Sequence, residues 1–247
     1  MKKRILLSVS GILIIVASLS FNWRKETASI PKAEIVEAVH DVNGAEAPDS
    51  LITSYDELNL RSTGLDFEVF QRALTGYLFL KNSDSTALRK SVIWVVDFSK
   101  PSTQKRFWVI DLEEKKLIYS TWVAHGQGSG QTIATTFSNQ PNSYQSSLGF
   151  YKTAEIYYGK HGRSLKLDGL DKGFNDNARE RSIVIHGADY VSKDFIRKTG
   201  RLGRSQGCPA LPLEVSQEII DKIEGNSLLF IYGDSNSYSS TLLGGIS

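Results

Sequence analysis

The sequence predicts a mainly β domain preceded by a small helical segment, α+β overall. Three observations carry this. In "GLDFEVFQRALTGYLFL" (64–80) the apolar residues Phe67, Phe70, Leu74 and Leu78 recur at spacings of three and four, one face of a helix. Short β-branched and aromatic runs bounded by turn residues follow it. Among those runs lies a long stretch dense in Ser, Asn, Gln and Gly, which supplies little core.

The elements read in order as follows. "MKKRILLSVSGILIIVASLSFNW" has a positive start at Lys2, Lys3 and Arg4, an apolar run, and small residues Ser18 and Ser20 before Phe21. Residues 1–22 therefore read as a secretory signal peptide or an N-terminal anchor. The apolar run falls short of the ~20 residues that span a bilayer comfortably. No cysteine lies near residue 20, so a lipoprotein anchor is excluded. Residues 23–89 form a polar linker and the helical segment, with 50–82 helical and Asp66 placed to start its main helix.

From residue 90 the pattern changes. "KSVIWVVDFS" (90–99) is a strand, and 106–126 reads as two strands joined by a charged turn at 113–116. Residues 126–149 are the polar stretch, expected on the surface of the β scaffold. Strand character returns at 150–159 and 182–188. "LEVSQEIIDKIEGN" (213–226) is a short helix, with Val215, Ile219, Ile220 and Ile223 on one face and Gly225 as its stop. "SLLFIYG" (227–233) is the last strand, and 234–247 reads as a loose C-terminal tail. The β domain thus spans 90–233, and no internal repeat is present.

The 247 residues are 40% hydrophobic, enough for one sizeable core. A net charge of +2, from 29 basic and 27 acidic residues scattered along the chain, gives no footprint for nucleic acid. The chain has one cysteine, Cys208. Exported proteins use cysteines in pairs. A single one is an intermolecular linker, a buried small hydrophobe or a reactive thiol.

His186 ends the apolar run "SIVIHG", which presents an imidazole at a sheet rim. Cys208 follows Gly207 in "GRSQGCPALP". A glycine before a nucleophile permits a sharp turn, and the amides of Gly207 and Cys208 could converge as an oxyanion hole. An imidazole nearby can take the thiol proton, while Arg201 and Arg204 add positive potential favouring a thiolate. A structural cysteine with a satisfied rim histidine fits these residues equally well. No spaced Cys or His pairs point to a metal.

"IVIHGADYV" followed by "GRLGRSQGCPALP" resembles the catalytic signature of the L,D-transpeptidases, and more closely the murein L,D-transpeptidase catalytic domain family of YkuD-like enzymes. The resemblance extends over 90–233 through "VAHGQGSG", "FSNQPNSYQSSLGFY" and the stretch before His186. It implies a YkuD-like β-sandwich or barrel. It implies Cys208 as nucleophile, His186 as its base, Ser205 in the motif Ser/Thr position, and the Gly207 and Cys208 amides on the oxyanion. His125, Tyr190 and Arg204 become candidate substrate contacts. The partner implied is a peptidoglycan stem peptide, with no cofactor and no metal, in an exported, monomeric protein of the periplasm or cell envelope that meets the membrane only through an N-terminal anchor. The reaction implied is acyl transfer from a tetrapeptide stem to an amine (a 3→3 cross-link) or to water (L,D-carboxypeptidase), with carbapenems as inhibitors.

The family motif is Ser/Thr-His-Gly-Cys-Arg/His-Asn, whereas Gln206 stands here for the His and Pro209-Ala210 for the last two residues. Those departures keep a second expectation open, a catalytically inactive exported peptidoglycan-binding protein. Two fragments, "STQK" (102–105) and "KTG" (198–200), mimic serine penicillin-binding enzymes. Ser102 follows Pro101 in a turn, 198–200 reads as a polar loop, and no Ser-x-Asn lies between them. A sortase needs an arginine after its cysteine, and no arginine follows Arg204.

Overall fold

The computed structural model describes residues 49–84 and 86–244. The signal or anchor read at 1–22 and most of the linker lie outside the described residues. Among those described, no helix is long and apolar enough to cross a membrane.

The helical segment is broken into pieces: helix α1 (Asp49–Glu57), a 3-10 turn (Leu60–Thr63) and helix α2 (Phe67–Ser83). The breaks fall at Asn59 and Gly64, both in the left-handed region, where a helix cannot continue. Asp66 precedes α2 but makes no side-chain cap; its carboxylate pairs with Lys100 Nζ at 2.8 Å. The buried face of α2 is Val69, Phe70, Ala73, Leu74 and Tyr77, with Phe67 and Leu78 at its margin. Full burial of each large side chain there stabilises the fold by about 1.5–3 kcal/mol.

Eight strands form one sheet: β1 (Val92–Asp97), β2 (Phe107–Asp111), β3 (Lys116–Thr121), β4 (Gly149–Gly159), β5 (Gly162–Gly169), β6 (Val184–Ala188), β7 (Ala210–Pro212) and β8 (Leu228–Tyr232). Their order is β3-β2-β1-β8-β4-β5-β6-β7. The central pair, β1 and β8, is parallel, with Ile93 against Leu228 and Val95 against Phe230. Strands buried on both faces read as continuous apolar runs, and "VIWVVD" and "LLFIY" are such runs. Just beyond β3, Ala124 bridges Ala210 of β7, so the two ends of the sheet meet in a nearly closed barrel.

Helix α2 covers β1 and β8 on one side. Helix α3 (Lys193–Thr199) precedes the cysteine turn, and α4 (Leu213–Ile223) packs on β5, β6 and β7 through Ile219, Ile220 and Ile223. The N-terminal helices and the sheet share one continuous hydrophobic cluster, so no structural break lies at residue 90.

The end of the chain corrects the reading of 234–247 as loose. Tyr238, Leu242 and Leu243 are buried, and a 3-10 turn (Thr241–Leu243) docks on α2. The buried carboxylate of Asp171 holds it there: Oδ2 accepts from Tyr238 Oη at 2.8 Å and from the Phe150 N–H at 2.7 Å, and Oδ1 accepts from Ser240 Oγ.

Candidate active site

Ser205, Gln206, Gly207 and Cys208 make a tight turn leading into β7. Gly207 has φ +123°, a conformation that strains any side-chain-bearing residue. The Ser205 hydroxyl knits the turn together. It donates to the Cys208 carbonyl at 2.6 Å and accepts from the Gly207 N–H at 3.1 Å. Of the two amides expected to converge on an oxyanion, that of Gly207 is therefore already engaged. The Cys208 N–H has no acceptor among the described residues.

The turn is anchored on its other side by the segment after β3. Ser205 N–H donates to His125 O at 3.0 Å, and Gln127 N–H to Ser205 O at 2.8 Å. Contact there is backbone on backbone: a Cβ at Gly126 would lie 2.8 Å from Gly207 Cα. Ser146 closes the arrangement, accepting from Gly126 N–H at 3.0 Å and donating to Gly207 O at 3.1 Å.

Cys208 is half-buried, with Sγ over the start of β6. Sγ accepts from Val184 N–H at 3.5 Å and donates toward Ser182 O at 3.7 Å. Ser182 has φ +54°, the left-handed region, which is unusual for a non-glycine residue and tends to mark a site. Burial pushes the thiol above its ordinary range, opposed by the Val184 N–H and by the charge of Arg181.

His186 lies on the same strand, two residues beyond Val184, and pairs with Ala210, two residues beyond Cys208. It is buried, and Nδ1 lies 2.9 Å from Gly187 O. A carbonyl only accepts, so Nδ1 bears the proton and Nε2 is left with its lone pair. Burial and the neighbouring His161 hold its pKa below the ordinary value, against the Gly187 carbonyl, so the ring rests neutral at pH 7. His161, exposed at the tip of the β4–β5 hairpin, stacks on it at 4.1 Å between ring centroids. No hydrogen bond joins Cys208 to His186 among the described residues. The resting arrangement is a thiol in the turn before β7 beside a neutral imidazole on the neighbouring strand β6.

The sequence-derived candidates divide. Tyr190 is half-buried and close enough to Cys208 for the thiolate charge, after burial, to help push its hydroxyl up to about 12. Arg204 is held by the chain, donating to Gln127 O at 3.1 Å and to Gly130 O at 2.9 Å. His125 is fully buried, with Nδ1 2.7 Å from Arg106 Nη2 and Nε2 3.3 Å from Gly130 O. Desolvation and then the Arg106 charge lower its pKa to about 3. Arg201 donates to Leu202 O, and neither Arg201 nor Arg204 shifts the thiol. The cation that does is Arg181, which sequence reasoning missed. Its signal was weak: it is one of many arginines, and only its place five residues before His186 sets it apart.

The polar stretch 126–149 is also more than surface. Ser129, Ser146 and Ser147 are buried, and its hydroxyls are the groups that hold the turn. The serine of the "STQK" mimic is no free nucleophile: Ser102 is buried with Oγ accepting from Leu202 N–H at 3.2 Å. Lys198 and Thr199 end helix α3, capped by Gly200, where a loop was expected. Among the described residues no group of three or more His, Cys, Asp or Glu side chains is arranged to hold a metal ion.

A sequence model of the L,D-transpeptidase catalytic domain matches residues 61–232. The chain belongs to that family. The match begins inside the helical segment, in keeping with a core shared by helices and sheet. L,D-transpeptidases act on peptidoglycan stem peptides in the cell envelope. Solved structures similar to this chain include an L,D-transpeptidase from Mycobacterium smegmatis (10% identity, TM-score 0.36, 58% of this chain and 59% of that one). Another is the L,D-transpeptidase of Xylanimonas cellulosilytica (13%, 0.33, 58% and 61%). A third is the helical cell shape determining protein Pgp2 of Campylobacter jejuni (12%, 0.37, 68% and 58%). The chain thus spans about six tenths of the length of these structures. No curated protein matches it.

The motif departures have a packing counterpart in this L,D-transpeptidase domain. Pro209 and Ala210 are buried, and Ala210 sits between Ala124 and His186 in a small cluster with Ala188, Val191 and Leu202. A long polar side chain has no room there. Gln206 is exposed beside the turn.

Proposed function

We propose that this protein is an exported cysteine L,D-transpeptidase in which Cys208 is the nucleophile and His186 its general base. The single observation that carries the reading is the tautomer of His186: with Nδ1–H on the Gly187 carbonyl, Nε2 is an unprotonated acceptor on the strand next to the thiol. Nε2 takes the Sγ proton as Sγ attacks the amide carbonyl between the L-centre of diaminopimelate and the terminal D-Ala of a tetrapeptide stem. The developing oxyanion is stabilised by the Cys208 N–H. The C–N bond breaks, the imidazolium protonates the leaving D-Ala amine, and a thioester remains. An amine of a second stem, or water, then attacks the thioester. His186 accepts the attacker's proton, and the thiolate leaves to be reprotonated.

Mass spectrometry of the protein incubated with tetrapeptide muropeptides tests this. The expected result is a Cys208 acyl adduct with release of D-Ala, both abolished by Cys208→Ala. Retention of muropeptide with neither adduct nor D-Ala would make the protein a binder instead, and D-Ala release by the Cys208→Ala variant would remove Cys208 from the chemistry.

A further inference from the structure

Arg181 stands just before β6, and its half-buried guanidinium faces the loop that covers the cysteine turn. Nη1 donates to Ser138 O at 2.7 Å and Ser147 Oγ at 3.0 Å. Nη2 donates to Gln145 O at 2.6 Å and Ser143 Oγ at 3.3 Å. One planar fork thus gathers four acceptors spread along the loop, a geometry that suits arginine and that the single ammonium of lysine cannot reproduce. The same group borders the nucleophile turn: a Cβ at Gly207 would lie 3.2 Å from Nη2 and 2.8 Å from Gln145 O. Ser146, between the fork's contacts, donates to Gly207 O.

We propose that Arg181 is a positioning residue with two linked tasks: its fork fixes the 138–147 loop against the Cys208 turn, and its charge, held there by the loop, favours the thiolate over the thiol. The groups facing Sγ bear this out by elimination. On β6 it meets the Val184 N–H and the Ser182 carbonyl, with neutral His186 further along the strand. After β6 comes the Tyr190 phenol, un-ionised at pH 7. Arg201 and Arg204 are directed elsewhere. Arg181 is the cation whose guanidinium borders Gly207, and its charge opposes the rise that burial gives the thiol. Its alignment depends on the loop acceptors, so loop order and thiol reactivity rise and fall together.

The catalytic consequence rests on Cys208 being the nucleophile; the test does not, because its readouts need no turnover. The rate of Cys208 alkylation by iodoacetamide is followed against pH, and amide hydrogen exchange is followed across 138–147, in the wild type, Arg181→Met and Arg181→Lys. In Arg181→Met the alkylation profile is expected to move to higher pH, with a several-fold loss of rate at pH 7, and loop exchange to accelerate. Arg181→Lys is expected to restore most of the alkylation profile but not the loop protection, since it returns the charge without the fork. A folded Arg181→Met protein with the wild-type alkylation profile overturns the electrostatic task. Should Arg181→Met fail to fold, Arg181→Lys decides alone: wild-type exchange in 138–147 overturns the clamp, and loss of protection supports it.

Discussion

The proton on His186 sits on Nδ1 because a backbone carbonyl one residue away holds it there. That small fact sets the chemistry of the pair. Burial keeps the imidazole neutral and raises the thiol, so the pair rests uncharged, and in the proposed reaction the thiolate forms as Sγ attacks. Alkylation of Cys208 is therefore expected to rise with a midpoint above the ordinary thiol range. A midpoint well below neutrality would instead signal a preformed thiolate–imidazolium pair. Removing the ring in His186→Ala should cost turnover about 10²–10⁴-fold, as for a general base. Steady-state D-Ala release measures it, and loss of less than tenfold would exclude that role. Ser205→Ala removes a hydroxyl that serves both the Gly207 amide and the Cys208 carbonyl. The variant should lose about 1–3 kcal/mol in urea unfolding, because the buried Gly207 N–H and the part-buried Cys208 carbonyl both lose a partner.

At the scale of the element, the segment after β3 hangs on His125. Its ring is wedged between Arg106 and Gly130 O and cannot accept a second proton without placing two cations together in the core. Its native pKa is lowered to about 3, whereas the unfolded chain binds that proton near 6.5. Stability from this group is thus complete above pH ~6.5 and is lost as pH falls toward 3, at up to about 1.4 kcal/mol per pH unit. Denaturant unfolding between pH 7 and 4 should show the slope, and His125→Asn should flatten it; equal slopes would mean the ring is not held neutral. Elements such as this explain what the sequence could reveal. β1 and β8 were legible because burial on both faces makes them uniformly apolar. β5 was not, since "GRSLKLDG" carries Arg163, Lys166 and Asp168 toward surface ion pairs. β7 is three residues long, and α3 buries none of its residues. Cys208 and His186 were visible as motif residues, but the role of Arg181 depends on contacts with a loop more than thirty residues earlier in the chain.

Among the described residues, helices, sheet and C-terminal turn share one large core. The tail is part of it. Tyr238→Phe leaves the buried Asp171 carboxylate short of a donor and should destabilise the protein by about 1–3 kcal/mol in thermal or chemical unfolding. No change would mean the tail adds nothing to the stability of the fold.

The parallel pairing of β1 with β8 has a consequence in time. Ile93 finds its partner only when Leu228 is available, so the middle of the sheet waits for the last of the described strands. A polypeptide emerging N-terminus first, from a ribosome or through a membrane pore, holds β1 as an unpaired edge on that side until almost all of it is out. Closure at Ala124 and Ala210 in turn brings together segments from either side of β4, β5 and β6. A chain stalled or cut short before β8 leaves the sheet open between β1 and β4, so Cys208 then sits on a barrel that has not closed.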